Sequence, residues 1–147
     1  MIREARPADF EALWRIDQAC FESGIAYSRR ELAWYMQRPG AFTLIVEAET
    51  KAPVAFIVAA PLKKGAGHII TLDVLPRDRR SGLGSRLLDA AEQRLRDAGC
   101  AAVSLETAVN NHVAIRFYMR HGYSIERTIP RYYSDGLDAL AMTKNLT

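Results

Sequence analysis

Apolar positions recur along the chain with two different periods, and the switches between them predict the elements. Residues 2–6 form a short strand, and Pro7-Ala8-Asp9 then opens a helix with Phe10, Leu13, Ile16, Asp17 and Cys20 near helical spacing. Residues 22–27 contain Ser23-Gly24 and make a loop. Ser28 stands three residues before Glu31, the spacing of a capping box, and the helix it begins carries Leu32, Tyr35 and Met36 on one face before Pro39-Gly40 stops it. Residues 42–48 and 54–62 are rich in β-branched and aromatic side chains, residues 63–67 turn the chain, and 69–75 form a third strand. Short turns between these strands predict an antiparallel meander. After Pro76, a helix buries Leu83, Leu87, Leu88, Ala91 and Leu95 on one side and is capped by Gly99. Residues 101–107 return as a strand, so 69–107 is a β–loop–α–β unit with parallel strands and a right-handed crossover. A short helix over 113–120 is closed by His121-Gly122, and strands over 123–129 and 138–146 flank the loop 132–136. The pattern predicts one α/β domain over residues 1–147, a mixed sheet of about seven strands with four helices.

Composition narrows what this domain can be. No apolar run approaches the roughly 18 residues of a membrane span, and residues 1–7 carry no apolar segment of a secretory signal. Cys20 and Cys100 lie far apart in apolar surroundings, which predicts two buried thiols in a reducing compartment, the cytoplasm, and no zinc site. His112 and His121 have structural places at a helix start and a cap, and His68 is expected to be distant from both. A net charge of +3 is too small to argue for a nucleic acid partner by itself. The basic residues are clustered, however, with Arg77, Arg79 and Arg80 just ahead of Gly82 and Gly84.

That cluster is the first candidate for chemistry. Glycine lets main chain approach a ligand closely, and the unpaired N–H groups of a helix start favour phosphate. Arginines beside them add charge-assisted hydrogen bonds. A cofactor bearing a pyrophosphate is the natural ligand. A dinucleotide fingerprint would need a third glycine where Leu87 stands, and a Walker loop would need Gly-Lys-Ser/Thr where Gly84-Ser85-Arg86 stands. Both nucleotide classes fail on residue identity, which opposes a nicotinamide reductase.

Arg79-x-x-Gly82-x-Gly84, preceded by a strand ending in Val74-Leu75-Pro76, resembles the Gln/Arg-x-x-Gly-x-Gly/Ala motif of the GNAT acetyltransferases. The order of elements along essentially the whole chain is similar too. The resemblance implies acetyl-coenzyme A as cofactor. It places the pyrophosphate on the amides of Arg79, Arg80, Ser81, Gly82, Leu83, Gly84 and Ser85, and the pantetheine arm along Leu72, Asp73, Val74 and Leu75. It also implies a sheet that splays open between the strands ending near Leu75 and Thr107, and a thioester carbonyl polarised by N–H groups near Val74.

Downstream, Leu105-Glu106-Thr107 followed by Asn111, Ala114, Tyr118 and Gly122-Tyr123 resembles the pattern of the ribosomal-protein-alanine N-acetyltransferase branch and its N-terminal-acetyltransferase relatives. By that resemblance Glu106 takes a proton from the attacking amine, directly or through water. Tyr118 donates to the departing thiolate and Asn111 helps hold the cofactor arm. A phenol with a pKa of about 10 is a competent donor to a thiolate whose acid titrates near about 8.5. The branch continues Glu-Val-Arg where this chain has Glu106-Thr107-Ala108, so one basic substrate contact is missing.

Acceptor residues in this fold come from the loop after the first helix and the loop between the last two strands. Arg131-Tyr132-Tyr133-x-Asp135-Gly136-x-Asp138-Ala139 is similar to the Tyr-Tyr-x-x-Gly-x-Asp-Ala stretch of N-terminal acetyltransferases. Tyr27, Tyr132 and Tyr133 are therefore the candidate walls of a peptide slot, with Glu106 at its end. A protein α-amine, with a ribosomal protein foremost, is the favoured acceptor. Its pKa of about 7.7–8.0 leaves on the order of a tenth or more neutral near pH 7, against well under a thousandth for a lysine at about 10.4. Lysine or polyamine acetylation, and a non-catalytic acyl-CoA sensor, are the alternatives. The expected partner is a protein or peptide amine, without nucleic acid or membrane, and the chain is a monomer or homodimer.

Overall fold

The computed structural model describes all 147 residues. In chain order the elements are β1 (Ile2–Glu4), α1 (Phe10–Cys20), α2 (Arg29–Met36), β2 (Phe42–Glu47), β3 (Pro53–Pro61), β4 (Ala66–Val74), α3 (Leu83–Asp97), β5 (Ala102–Ala108), α4 (His112–Arg120), β6 (Ser124–Ile129) and β7 (Ala139–Asn145). The seven strands form one sheet in the order β1-β2-β3-β4-β5-β7-β6. Only the β4–β5 pair is parallel. The mixed sheet, the meander β2–β3–β4 and the crossover through α3 match the sequence pattern.

Local chemistry explains most boundaries. The Ser28 hydroxyl accepts from the Glu31 N–H at 3.1 Å while the Glu31 carboxylate accepts from the Ser28 N–H at 2.9 Å, a complete capping box. Strand β4 begins three residues before the predicted start at Ile69, because the turn is tighter than five residues. Lys64 and Gly65 both take positive φ, 63° and 74°, and reverse the chain within Lys63–Gly65. The first helix starts with one 3-10 turn over Pro7–Asp9, where the Asp9 carboxylate accepts from Arg3 and from the Arg6 N–H.

Both faces of the sheet are covered. Ala55, Ile57 and Ala59 of β3 pack with Leu87, Leu88, Ala91 and Leu95 of α3, whereas Phe56, Val58 and Ala60 pack with Leu13 and Ile16 of α1 and Leu32 of α2. A central strand buried on both faces reads as an unbroken apolar run, which is what residues 54–60 are. One polar network crosses the larger core: buried Glu92 of α3 accepts from the Tyr123 hydroxyl and from Lys144 of β7, each at 2.8 Å. Lys144→Ala leaves that carboxylate short of its counter-charge, so a loss of about 3 kcal/mol is expected in urea unfolding.

Two irregularities position the site. Strand β4 is bulged at Ile70, since Val58 pairs with Thr71 and Ala59 with Ile69, and a bulge bends its strand. Pairing of β4 with β5 is confined to Ala66, Gly67 and His68 against Ala102, Val103 and Ser104. Beyond those residues β4 follows β3 and β5 follows β7, so the sheet splits into a wedge. The main-chain groups along the inner edge of β4 then face an opening rather than a strand.

Candidate active site

At the open end of the wedge the loop from β4 to α3 is held by its own residues. Pro76–Asp78 form a 3-10 turn, Arg79 Nε donates to the Val74 carbonyl at 2.9 Å, and Ser81 Oγ donates to the Asp78 carbonyl at 2.6 Å. Arg80 and Gly82 both have left-handed backbone, φ 65° and 82°. The two motif glycines serve different ends. A Cβ on Gly82 would meet nothing within 4 Å, so its left-handed φ is what selects glycine and its surroundings stay open. A Cβ on Gly84 would lie 3.3 Å from the Phe117 ring, so Gly84 lets the first turn of α3 approach α4. The same contact is closed by Ser85 Oγ and His121 Nε2 at 2.9 Å. The first N–H groups of α3, at Leu83, Gly84 and Ser85, point beyond the helix without intrahelical acceptors.

These features fit a pyrophosphate-bearing thioester cofactor: an open glycine, free helix-start amides and an unpaired edge of β4 leading away from them. Leu72, Val74 and Leu75 are half-buried along that edge. Asp73 differs from them. Its side chain is wholly buried, bonds the Thr71 hydroxyl and faces α1, so only its main chain is left for a cofactor arm. Asn111 is the N-cap of α4, its carbonyl oxygen accepting from the Ala114 N–H at 3.2 Å. That leaves its amide NH₂ as the group able to reach a ligand.

Glu106 on β5 sits just past the last β4–β5 pair. Its Oε1 lies 2.8 Å from His68 Nε2 and 3.4 Å from the Tyr132 hydroxyl, which donates to it. This contact between His68 and Glu106 is one that sequence reasoning did not anticipate. Parallel pairing puts His68 opposite Ser104, two residues before Glu106 and on the same face of the sheet. No metal is implied by this pair, because no group of three or more His, Cys, Asp or Glu side chains is placed to hold one.

Tyr118 in α4 is buried between Phe117 and Tyr123, with ring centroids 5.2 Å and 5.6 Å away. Burial, with Asp73 and Tyr133 nearby, pushes its phenol well above the usual value, so it stays protonated through the neutral range. The structure thus brings Tyr118, Asp73, Tyr133 and Glu106 to one end of the wedge.

Beside them is a cavity of about 270 Å³ lined by Gly24, Ile25, Ala26, Tyr27, Glu31, Tyr35, Tyr132, Tyr133 and Ser134. Two loops build it. Ser134 bonds the Gly24 carbonyl through both its N–H, at 3.2 Å, and its hydroxyl, at 2.8 Å. Tyr27 is pinned through its main chain: its carbonyl accepts from Trp14 Nε1 and Gln18 Nε2, and its N–H donates to the Asp17 carboxylate at 2.7 Å. Its ring stands 5.2 Å from Tyr35, and the Tyr132 and Tyr133 rings meet edge to face at 5.0 Å. Burial and the neighbouring Glu106 push the Tyr133 phenol up to about 12. All three predicted aromatic walls line this cavity, and Tyr35, Gly24 and Ser134 join them. Tyr35 carried a helical-face signal only, and nothing local marks the pairing of Gly24 with Ser134.

A split mixed sheet, a positive-φ loop feeding α3 and a buried tyrosine thus meet at the open end of the sheet. The acetyltransferase (GNAT) family model matches residues 10–123, and the chain belongs to that family. It is 34% identical over 145 residues to an uncharacterized N-acetyltransferase of Methanocaldococcus jannaschii, covering 98% of this chain and 90% of that protein. An N-alpha-acetyltransferase of Sulfurisphaera tokodaii is 35% identical over 81 residues, 54% of this chain and 48% of that one. In fold it is similar to the ribosomal-protein-S18-alanine N-acetyltransferase of Escherichia coli, with a TM-score of 0.86, 24% identity, and coverage of 100% of this chain and 94% of that one. The chain is thus an N-acetyltransferase of a fold that generally binds acetyl-CoA. No helix is long and apolar enough to cross a membrane.

Proposed function

We propose that the protein transfers acetyl from acetyl-CoA to the N-terminal α-amine of a protein or peptide, with a ribosomal protein as the first candidate, by direct attack in a ternary complex. The observation that carries this reading is the tyrosine-lined cavity beside Glu106, placed between the two loops that supply acceptor contacts. Tyrosine hydroxyls suit the peptide main chain, and the ring faces suit a first side chain. The relatives named for N-alpha and ribosomal-protein acetylation support the same acceptor class.

The amides of residues 79–85 hold the pyrophosphate, and the edge of β4 from Leu72 to Leu75 pairs with the pantetheine arm. Acetyl-CoA, when bound, supplies an acetyl group on a good leaving sulfur. Glu106, held by His68 and Tyr132, accepts the amine proton directly or through one water. Tyr118 gives its proton to the sulfur as the N–C bond forms and the C–S bond breaks. N–H groups near Val74 steady the carbonyl oxygen.

Thiol release measured with N-terminal peptides, ε-lysine peptides and polyamines tests the acceptor. Turnover is expected with the N-terminal peptides, at least about tenfold above either other group, given their larger neutral amine fraction. Preference for lysine or polyamine would reassign the acceptor. Tight CoA binding without release for any of them would make the chain a sensor.

A further inference from the structure

The side chains of Asp17 of α1 and Asp73 of β4 are both wholly buried, and neither carboxyl has a place in the acetyl-transfer chemistry above. They lie within hydrogen-bonding reach of each other. Asp17 spends Oδ2 on the Tyr27 N–H at 2.7 Å, and Asp73 spends Oδ1 on the Thr71 hydroxyl. The two remaining oxygens, Asp17 Oδ1 and Asp73 Oδ2, are buried without any partner. Two carboxylates in contact offer acceptors only, and an orphaned pair of negative charges in a dry interior is prohibitive. One proton between those two oxygens satisfies both.

We infer that Asp17 and Asp73 form a carboxyl–carboxylate pair holding a single proton, and that this pair is a positioning device that ties the acceptor loop to the cofactor strand. The connection is short. From Asp17 it runs to Tyr27, a wall of the acceptor cavity. From Asp73 it runs one residue on to Val74, whose carbonyl also accepts from the Cys20 thiol of α1 at 3.3 Å. The groups facing the pair are Cys20 on α1, Tyr27 in the acceptor loop, Arg79 in the cofactor loop and Tyr118 on α4. Of these only Arg79 carries a positive charge, and its Nε is committed to the Val74 carbonyl.

The titration sign follows. Burial first, then Asp17, holds the Asp73 carboxyl well above the usual carboxylate range. Above a pH of about 4 the folded chain therefore keeps a proton that the unfolded chain has lost. The pair's contribution to stability is complete below that pH and declines as pH rises, until the pair gives up its proton. Loss of that proton sets two charges against each other and frees the Tyr27 loop. Acceptor binding is then weakened over the pH range in which the pair gives up its proton, while cofactor binding persists.

The test has two arms, and the second rests on the acceptor assignment proposed above. In the first, carbonyl-¹³C NMR of the full chain with labelled aspartate is followed against pH. One carboxyl is expected to stay protonated well above the ordinary carboxylate range, and its titration is expected to move to lower pH in Asp17→Ala, which removes the partner while burial of Asp73 remains. Completion of every aspartate titration below a pH of about 4.5 overturns the pair. In the second, Asp17→Ala is expected to raise the peptide KM about tenfold with the acetyl-CoA KM within about twofold, as for a lost buried bond to a charged group. Asp17→Asn can still accept from Tyr27 and donates permanently towards Asp73, so it should restore the peptide KM to within about twofold and remove its rise with pH. Equal impairment of the Asn and Ala variants, or a parallel rise in both KM values, overturns the positioning role. If the unaltered chain acetylates no peptide, the acceptor assignment fails while the NMR arm still decides the pair.

Discussion

Tyr118→Phe should lower kcat by about 100-fold while CoA affinity changes by less than about twofold. Phenylalanine keeps the ring that packs against Phe117 and Tyr123, so α4 and the Gly84–Phe117 contact survive the change. Only the hydroxyl goes, and with it the proton proposed for the departing thiolate. That proton is available at every pH of interest, because burial and the nearby Asp73 and Tyr133 hold the phenol well above its ordinary value. The deficit should therefore be flat between pH 6 and 9, and its invariance distinguishes a donor from a group that titrates. Tyr123 offers the control. Its hydroxyl is tied to Glu92, so Tyr123→Phe should change denaturant stability and leave kcat nearly untouched. Equal turnover of Tyr118→Phe and the unaltered chain would remove Tyr118 from the mechanism.

What the sequence discloses and what it hides divide along the range of the interactions. Capping at Ser28, the glycine close of α3, the apolar run of β3 and the turn at Pro76 are local, and each is legible from a few adjacent residues. The loop proposed to hold the cofactor is legible for the same reason: Gly82, Gly84 and the start of α3 all fall within Leu75–Ser85. The parts that escape depend on register and on three-dimensional closure. His68 meets Glu106 across 38 residues because β4 and β5 pair in one particular parallel register, which no local pattern specifies. Asp17 stands among apolar residues at helical spacing, and its burial becomes meaningful only once Asp73 is found opposite it. The acceptor cavity is a junction of two loops far apart in sequence, joined through Gly24 and Ser134. Tyrosines were visible as candidates, but the space they enclose was not.

Glu106→Gln should reduce kcat/KM for an N-terminal peptide by about 10- to 100-fold at pH 7, with the loss shrinking as pH rises past about 8. The amide is nearly isosteric, and its oxygen can still accept from His68 or Tyr132, so the wedge between β4 and β5 is retained. What disappears is a carboxylate that can take a proton. An α-amine that titrates near about 7.7–8.0 increasingly arrives neutral above that pH and relies less on a base to become a nucleophile. A lysine acceptor at about 10.4 would gain no such relief, and its deficit would persist to pH 9. One variant thus tests the base and the acceptor class together. His68→Leu supplies the complementary measurement, since it leaves the Glu106 carboxylate in place and removes the ring that orients it. A smaller loss, about tenfold in kcat with peptide KM little changed, is expected from misplacing the base rather than deleting it. A pH-independent deficit in Glu106→Gln with a good α-amine substrate would show that the carboxylate holds the peptide instead of accepting its proton.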